Sequence, residues 1–278
     1  MPYTITQREA DQGHEWCVAT ATCRLEDADD ALIAHTVEMV RRSYGENEIL
    51  ADALDVMQAD LAAGNFQTEH LVAAIRQGLP DPSAEGIKPP QLTTYRSQTA
   101  ELVAKAALSA AFPVEYPAAP QEGTPNPNQP ILGFDGWGIC RYDADCFALV
   151  LIQVKGTDDA TSPPAVADEL ADECRRVPQH TSVICRALSV LARLLRGSDL
   201  QPVVLRMLEA LGRGELPPMH VAPAIVRGTA PCQIGDLQPC RDVVAEFAPA
   251  TARGIVVGIG VSLSEFGEMV MTRAREAA

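Results

Sequence analysis

The sequence predicts an α/β fold, with α+β as the alternative: a mixed sheet flanked by helices, led by a mostly helical N-terminal extension. Three observations predict it. Helix-period and strand-period segments interleave along the chain instead of segregating. Of the 278 residues, 47% are apolar and 21% charged, enough to bury the core of one large or two small domains. No internal repeat of solenoid period is present.

The elements follow in order. Residues 14–24 (HEWCVATATCR) are rich in Val and Thr and alternate loosely, as a strand does. Asp29 to Tyr44 places Leu32, Ile33, Val37 and Val40 at helical spacing. Glu48 to Ala63 and Gln67 to Gly78 read as helices, each with a Gly stop. The Pro- and Gly-rich stretch 79–90 reads as a linker, dividing a lead-in region, residues 1–90, from residues 91–278. Tyr95 to Phe112 is Ala-rich without Gly or Pro and reads as a helix. Pro113 to Pro130 carries six prolines and reads as loop, with a short strand at Val114–Tyr116. Strands at Ile131–Cys140 and Phe147–Lys155 flank a hairpin turn. Helices near 164–177, 182–196 and 199–212, strands near 219–227 and 254–262, and a helix from Ser264 to Ala274 complete the chain.

The net charge of -15 disfavours long-range attraction to nucleic acid or a membrane surface. An acidic ligand would have to meet a local basic patch, a metal ion or a partner subunit. No apolar run approaches the roughly 18 residues of a membrane span, and Met1 to Glu15 holds no signal-peptide core, so a cytoplasmic protein is expected. The eight cysteines include no pair at zinc-knuckle spacing, and free thiols are expected. Nineteen of the basic residues are Arg and three are Lys (Lys88, Lys105 and Lys155).

The hairpin permits a geometric test. Facing residues of a tight antiparallel pair have numbers of constant sum. With the turn centred near Ala144, that sum is near 288 and sets Asp135 opposite Gln153. Gln153 and Lys155 share a face with Leu149 and Leu151, while Ile152 and Val154 point the other way. An acid, an amide and an ammonium group thus converge at the ends of two apolar strands. Polar groups there cost several kcal/mol unless paired or solvated. The bland reading is a Lys155–Asp135 ion pair closing the sheet edge.

The G-F-D-G at 133–136, the Q-V-K at 153–155 and the Glu-bearing helix upstream resemble the PD-(D/E)XK nuclease superfamily. The form is that of Mrr-like restriction enzymes, in which Gln replaces the acid of the E-x-K element. FDGWG, QVKGTDD and GIGVSLSEFGEMVMTRA are also similar to the nuclease subunits of Hachiman-type antiphage defence, which work with a helicase. The resemblance spans residues 95–200 and implies a restriction-endonuclease-like fold. It further implies a metal-dependent DNase with catalytic Asp135, Gln153, Lys155 and Glu101. Mg²⁺, or Mn²⁺ in its place, would be held by Asp135, the Gln153 carbonyl, the Val154 backbone carbonyl and Glu101. Lys155 would orient the attacking water and stabilise developing charge. Two departures stand out: Phe134, not Pro, precedes the acid, and Gln153 brings no charge to a metal.

Arg186, Arg193 and Arg196 can share a helix face and are the candidate DNA-binding stripe; surface solubility is the plainer use of such arginines. Glu101 lies four residues before Lys105, an ordinary helix pair. The five histidines form no catalytic or metal-binding spacing, and the Gly258-Ile-Gly260 run suits a bend. The alternative to the enzyme is a catalytically degenerate subunit that binds DNA or a partner protein. A cysteine-held zinc protein is a third option.

Overall fold

The computed structural model describes residues 2–59, 67–84, 93–116, 135–143 and 146–276. Five sequence expectations lie wholly or partly outside these residues. They are the second helix beyond residue 59, the linker from 85 to 90, the Pro-rich stretch from 117 to 130, Ile131–Phe134 of the predicted strand, and the turn residues Ala144 and Asp145.

Among the described residues the strands are β1 (Thr4–Asp11), β2 (His14–Thr20), β3 (Val114–Glu115), β4 (Gly136–Asp143), β5 (Cys146–Thr157), β6 (Met219–Arg227) and β7 (Thr251–Gly258). They form one mixed sheet in the order β1-β2-β7-β6-β5-β4-β3. The central pairs β5–β6, β6–β7 and β7–β2 are parallel; the hairpins β1–β2 and β4–β5 and the short β3–β4 pair are antiparallel. The helices are α1 (Ala31–Ser43), α2 (Glu46–Ala59), α3 (Thr68–Gln77), α4 (Thr94–Ala111), α5 (Val166–Arg176), α6 (Thr181–Leu194), α7 (Gln201–Gly212), α8 (Gln238–Asp242) and α9 (Leu263–Arg275). The α/β prediction stands.

The pleat explains the layering. Val150 and Ile152 of β5 join the core beneath α1, α4 and α9, whereas Leu149 and Leu151 join the core beneath α5, α6 and α7. All four are fully buried, each worth about 1.5–3 kcal/mol of transfer free energy. Parallel strands covered on both faces need such continuous apolar runs. Local signals set the helix ends. Asp30 caps α1 by accepting from the N–H groups of Leu32 and Ile33, both at 3.0 Å. Asp158, just past β5, accepts from Leu263 N–H at 3.2 Å and so caps α9 from across the sheet. Gly260, at φ +79°, makes the turn that leaves β7 for α9, the bend expected of the Gly-Ile-Gly run.

The boundary expected at residue 90 is not a break in the sheet. β2 pairs with β7 from Glu15↔Arg253 to Thr20↔Gly258, and α1 packs on α9 and α4. The lead-in is therefore part of the same sheet and core, and its first element is a strand, β1, that the sequence reading lacks. The strand expected at 254–262 begins and ends about three residues earlier, at Thr251 and Gly258. No helix among the described residues is long and apolar enough to cross a membrane.

His220, at the N-terminal end of β6, is 7% exposed. Its Nδ1 lies 2.7 Å from Thr251 Oγ1, Tyr142 stands edge-on to it, and Nε2 has no partner. Burial, with Arg253 nearby, pushes its pKa down to about 4. The neutral ring is the folded form, so its contribution to stability is complete above the unfolded pKa of about 6.5 and is lost as pH falls toward 4. Urea unfolding should show wild type losing about 3 kcal/mol more than His220→Gln between pH 7 and pH 4. Parallel losses in the two proteins would contradict this.

Candidate active site

The hairpin register has the predicted sum. Gly136 faces Ile152, Gly138 faces Val150 and Arg141 faces Phe147. Asp135, one residue before β4, is thereby set against the C-terminal part of β5. Its Oδ2 accepts from Val154 N–H at 2.6 Å, taking the ladder position that β4 leaves open. Gln153 and Lys155 point to the α5 face, as the alternation requires.

α5 supplies what the sequence reading missed. Glu173 Oε2 accepts from Gln153 Nε2 at 2.9 Å, and Glu173 Oε1 accepts from Lys155 Nζ at 2.8 Å. Glu169, one turn earlier, is 3.1 Å from the same ammonium. The ion pair of Lys155 is therefore with two glutamates of α5, not with Asp135 as the bland reading has it. The sequence carries only part of this: the spacing of four puts Glu169 and Glu173 on one face of the helix, but not which element that face meets.

Glu101 is on the other side of the sheet, on α4, with its Oε2 3.9 Å from Lys105 Nζ. Lys105 lies across the start of β4, where a Cβ on Gly136 would come within 2.5 Å of Lys105 Cε; glycine makes room for the ammonium. The four expected residues thus do not form one cluster on one face. They form two half-sites, Glu101–Lys105 and Gln153–Lys155–Glu173–Glu169, with Asp135 between them at the mouth of the hairpin.

The electrostatics join the halves. Burial pushes the Asp135 carboxyl above the usual range; the Val154 N–H and Lys105 pull it down, Glu173 pushes it up and Lys155 pulls it down. Desolvation pushes Glu101 up to about 8 against the pull of Lys105, with Asp135 adding to the rise. Burial works to lower the Lys155 pKa, but its bonds to Glu173 and Glu169 outweigh it and the ammonium form is favoured. Four carboxyl groups stand against two ammonium groups; with Glu101 largely protonated at neutral pH, Asp135, Glu169 and Glu173 still outnumber Lys105 and Lys155, and a cation would relieve the crowding of negative charge.

One atom decides how the residues fit a metal. Gln153 is 9% exposed, and its Oε1 is buried without a hydrogen-bond partner. Buried amide oxygens are ordinarily satisfied, so an unpartnered one, on a side chain held by Glu173 and opposite Asp135 in the hairpin register, suits a hard cation such as Mg²⁺. Among the described residues no three His, Cys, Asp or Glu side chains gather as a ready metal group. The donor set would be mixed: the Gln153 amide oxygen, Asp135 and the Val154 carbonyl, with Glu101 approaching from α4. The eight cysteines are free.

Arg186 and Arg193 are exposed on α6, and exposed Arg196 follows its end. α6 packs chiefly on α7, so these arginines sit on a different helix from the site carboxylates. Trp137 packs into the α5-side core, whereas Tyr142 is exposed. Comparison with family models and with curated proteins finds no match.

Proposed function

We propose that this chain is a metal-dependent deoxyribonuclease of the PD-(D/E)XK type, in its Q-x-K form, acting on DNA with a helicase partner in antiphage or restriction defence. The observation that carries the reading is the open Gln153 Oε1, two residues from an ammonium group and across the hairpin from a desolvated carboxylate. The element order supports it: α4, then β3, β4 and β5, then α5 and, after the additional helices α6 and α7, β6, which is the helix–hairpin–helix–strand order of a restriction-endonuclease-like core with two helices inserted before the last strand. The residues also lie at the C-terminal end of a central parallel strand, where open α/β sheets carry ligands.

In this reading Asp135, Gln153 and the Val154 carbonyl hold Mg²⁺ or Mn²⁺, and Glu101 adds a carboxylate from α4. The bound cation supplies charge neutralisation at the phosphate and a water of lowered pKa. Lys155 Nζ donates to the attacking water or to the phosphate oxygen that gains charge. Glu173 and Glu169 keep that ammonium charged and in place. Arg186, Arg193 and Arg196 offer phosphate contacts further along the duplex. The acidic chain alone binds DNA weakly, and delivery falls to the partner.

The second reading, a degenerate subunit that binds DNA or a partner protein, is favoured by Gln153 itself, since a neutral amide weakens any cation seat. Plasmid and linear duplex incubated with Mg²⁺ or Mn²⁺, with and without a co-encoded helicase, separates the two. Metal-dependent cleavage that EDTA abolishes is expected. Intact DNA under every condition would establish the degenerate subunit instead.

A further inference from the structure

We propose that Glu173 is the positioning residue of this site: it fixes the Gln153 amide with its nitrogen toward α5, and so aims Oε1 at the cation seat. The inference rests on the metal-site reading above. A primary amide has two nearly isosteric ends, and rotation by half a turn exchanges a donor for an acceptor. A carboxylate only accepts. Glu173 Oε2 therefore selects the orientation in which Gln153 Nε2 faces it, at 2.9 Å. The charge-assisted bond makes the flipped orientation, two acceptors face to face, unfavourable. Glu173 Oε1 is meanwhile anchored by Lys155 Nζ at 2.8 Å, so the carboxylate cannot rotate away. One side chain thus orders the amide and the ammonium at once, while Oε1 of Gln153 stays without a partner. An amide satisfied at its nitrogen and open at its oxygen is what an outer carboxylate imposes on a metal-binding side chain.

Mn²⁺ titration by calorimetry, with thermal melts of the same samples, tests this on four proteins: wild type, Glu173→Gln, Glu173→Ala and the exchange Gln153→Glu/Glu173→Gln. In Glu173→Gln the new amide can donate to Gln153 Oε1 and close the seat, so Mn²⁺ affinity should fall about 10–100-fold. Glu173→Ala should also weaken it, since the Gln153 amide loses its guide. In the exchange variant the amide at 173 donates to one oxygen of the carboxylate at 153 and accepts from Lys155. The other oxygen at 153 is then free for the cation, and affinity should return. A purely structural Glu173 would change the melts without this recovery of binding. Unchanged affinity in Glu173→Gln overturns the inference. So does an exchange variant that regains the wild-type melt but not Mn²⁺ binding, and this arm decides the matter if Glu173→Gln fails to fold. Wild type that binds no Mn²⁺ removes the cation seat itself, a failure of the underlying reading distinct from equal binding by wild type and variant.

Discussion

Asp135→Asn is expected to reduce Mg²⁺-dependent DNA cleavage by about a thousandfold or more while leaving the fold intact. The asparagine Oδ1 can still accept from Val154 N–H, so the hairpin mouth keeps its hydrogen bond. What disappears is a negative charge that the fold holds at a cost. Burial already raises the Asp135 pKa, with Glu173 adding to the rise. At pH 7–8 the variant should therefore melt at or above the wild-type temperature while losing activity. Lys155→Met supplies the contrast. It should lose cleavage similarly but melt lower, because Glu173 and Glu169 lose the cation between them. Gel assays of plasmid nicking and thermal melts on the same preparations check both effects. Cleavage that survives in Asp135→Asn would remove the assignment.

Arg227→Ala should cost about 3–5 kcal/mol of stability. Arg227 is 1% exposed and Asp236 0% exposed. The guanidinium Nε stands 3.6 Å from Asp236 Oδ2, and Nη2 donates to the Thr161 carbonyl at 3.0 Å. Asp236 also accepts from Gln233 N–H at 3.1 Å and from the Ser162 hydroxyl. The pair thus ties the segment after β5 to the segment after β6. Removing the arginine leaves a carboxylate with no route to water, and that uncompensated charge is the large part of the loss. The paired change Arg227→Met/Asp236→Asn should recover much of it, since the amide can keep the acceptor bonds without the charge. Urea midpoints of the single and double variants measure the difference. A loss below about 1 kcal/mol in Arg227→Ala would show that the cluster is not closed to solvent.

Much of the site was legible because a hairpin obeys arithmetic. The turn centre fixed the register, and the register placed Asp135 against β5 with Gln153 and Lys155 on one face. Glu173 was hidden for a different reason. Its helix was readable, but which face of α5 meets β5 depends on how the helix rolls on the sheet, a tertiary choice that local periodicity does not encode. The division of the site over two faces was hidden likewise, since chain order does not say which side of the sheet α4 covers. β1 was missed because TITQREAD is an edge strand mostly exposed on both sides, and so lacks the apolar alternation that marks a half-buried strand. The Pro- and Gly-rich stretch after residue 79 reads as a boundary, yet β2 finds its partner in β7, more than 230 residues away. Pairing at that distance leaves no trace in composition.

That distant pairing has a consequence for biosynthesis. β7 fills the slot between β6 and β2, so both must wait with a bare edge until residues near 258 have left the ribosome. The β4–β5 hairpin and α5 are made well before that moment, but the scaffold that holds them level is not. Completion of the sheet therefore waits for β7, and a product stopped short of Thr251 would carry two open, apolar strand edges prone to stick to other nascent chains.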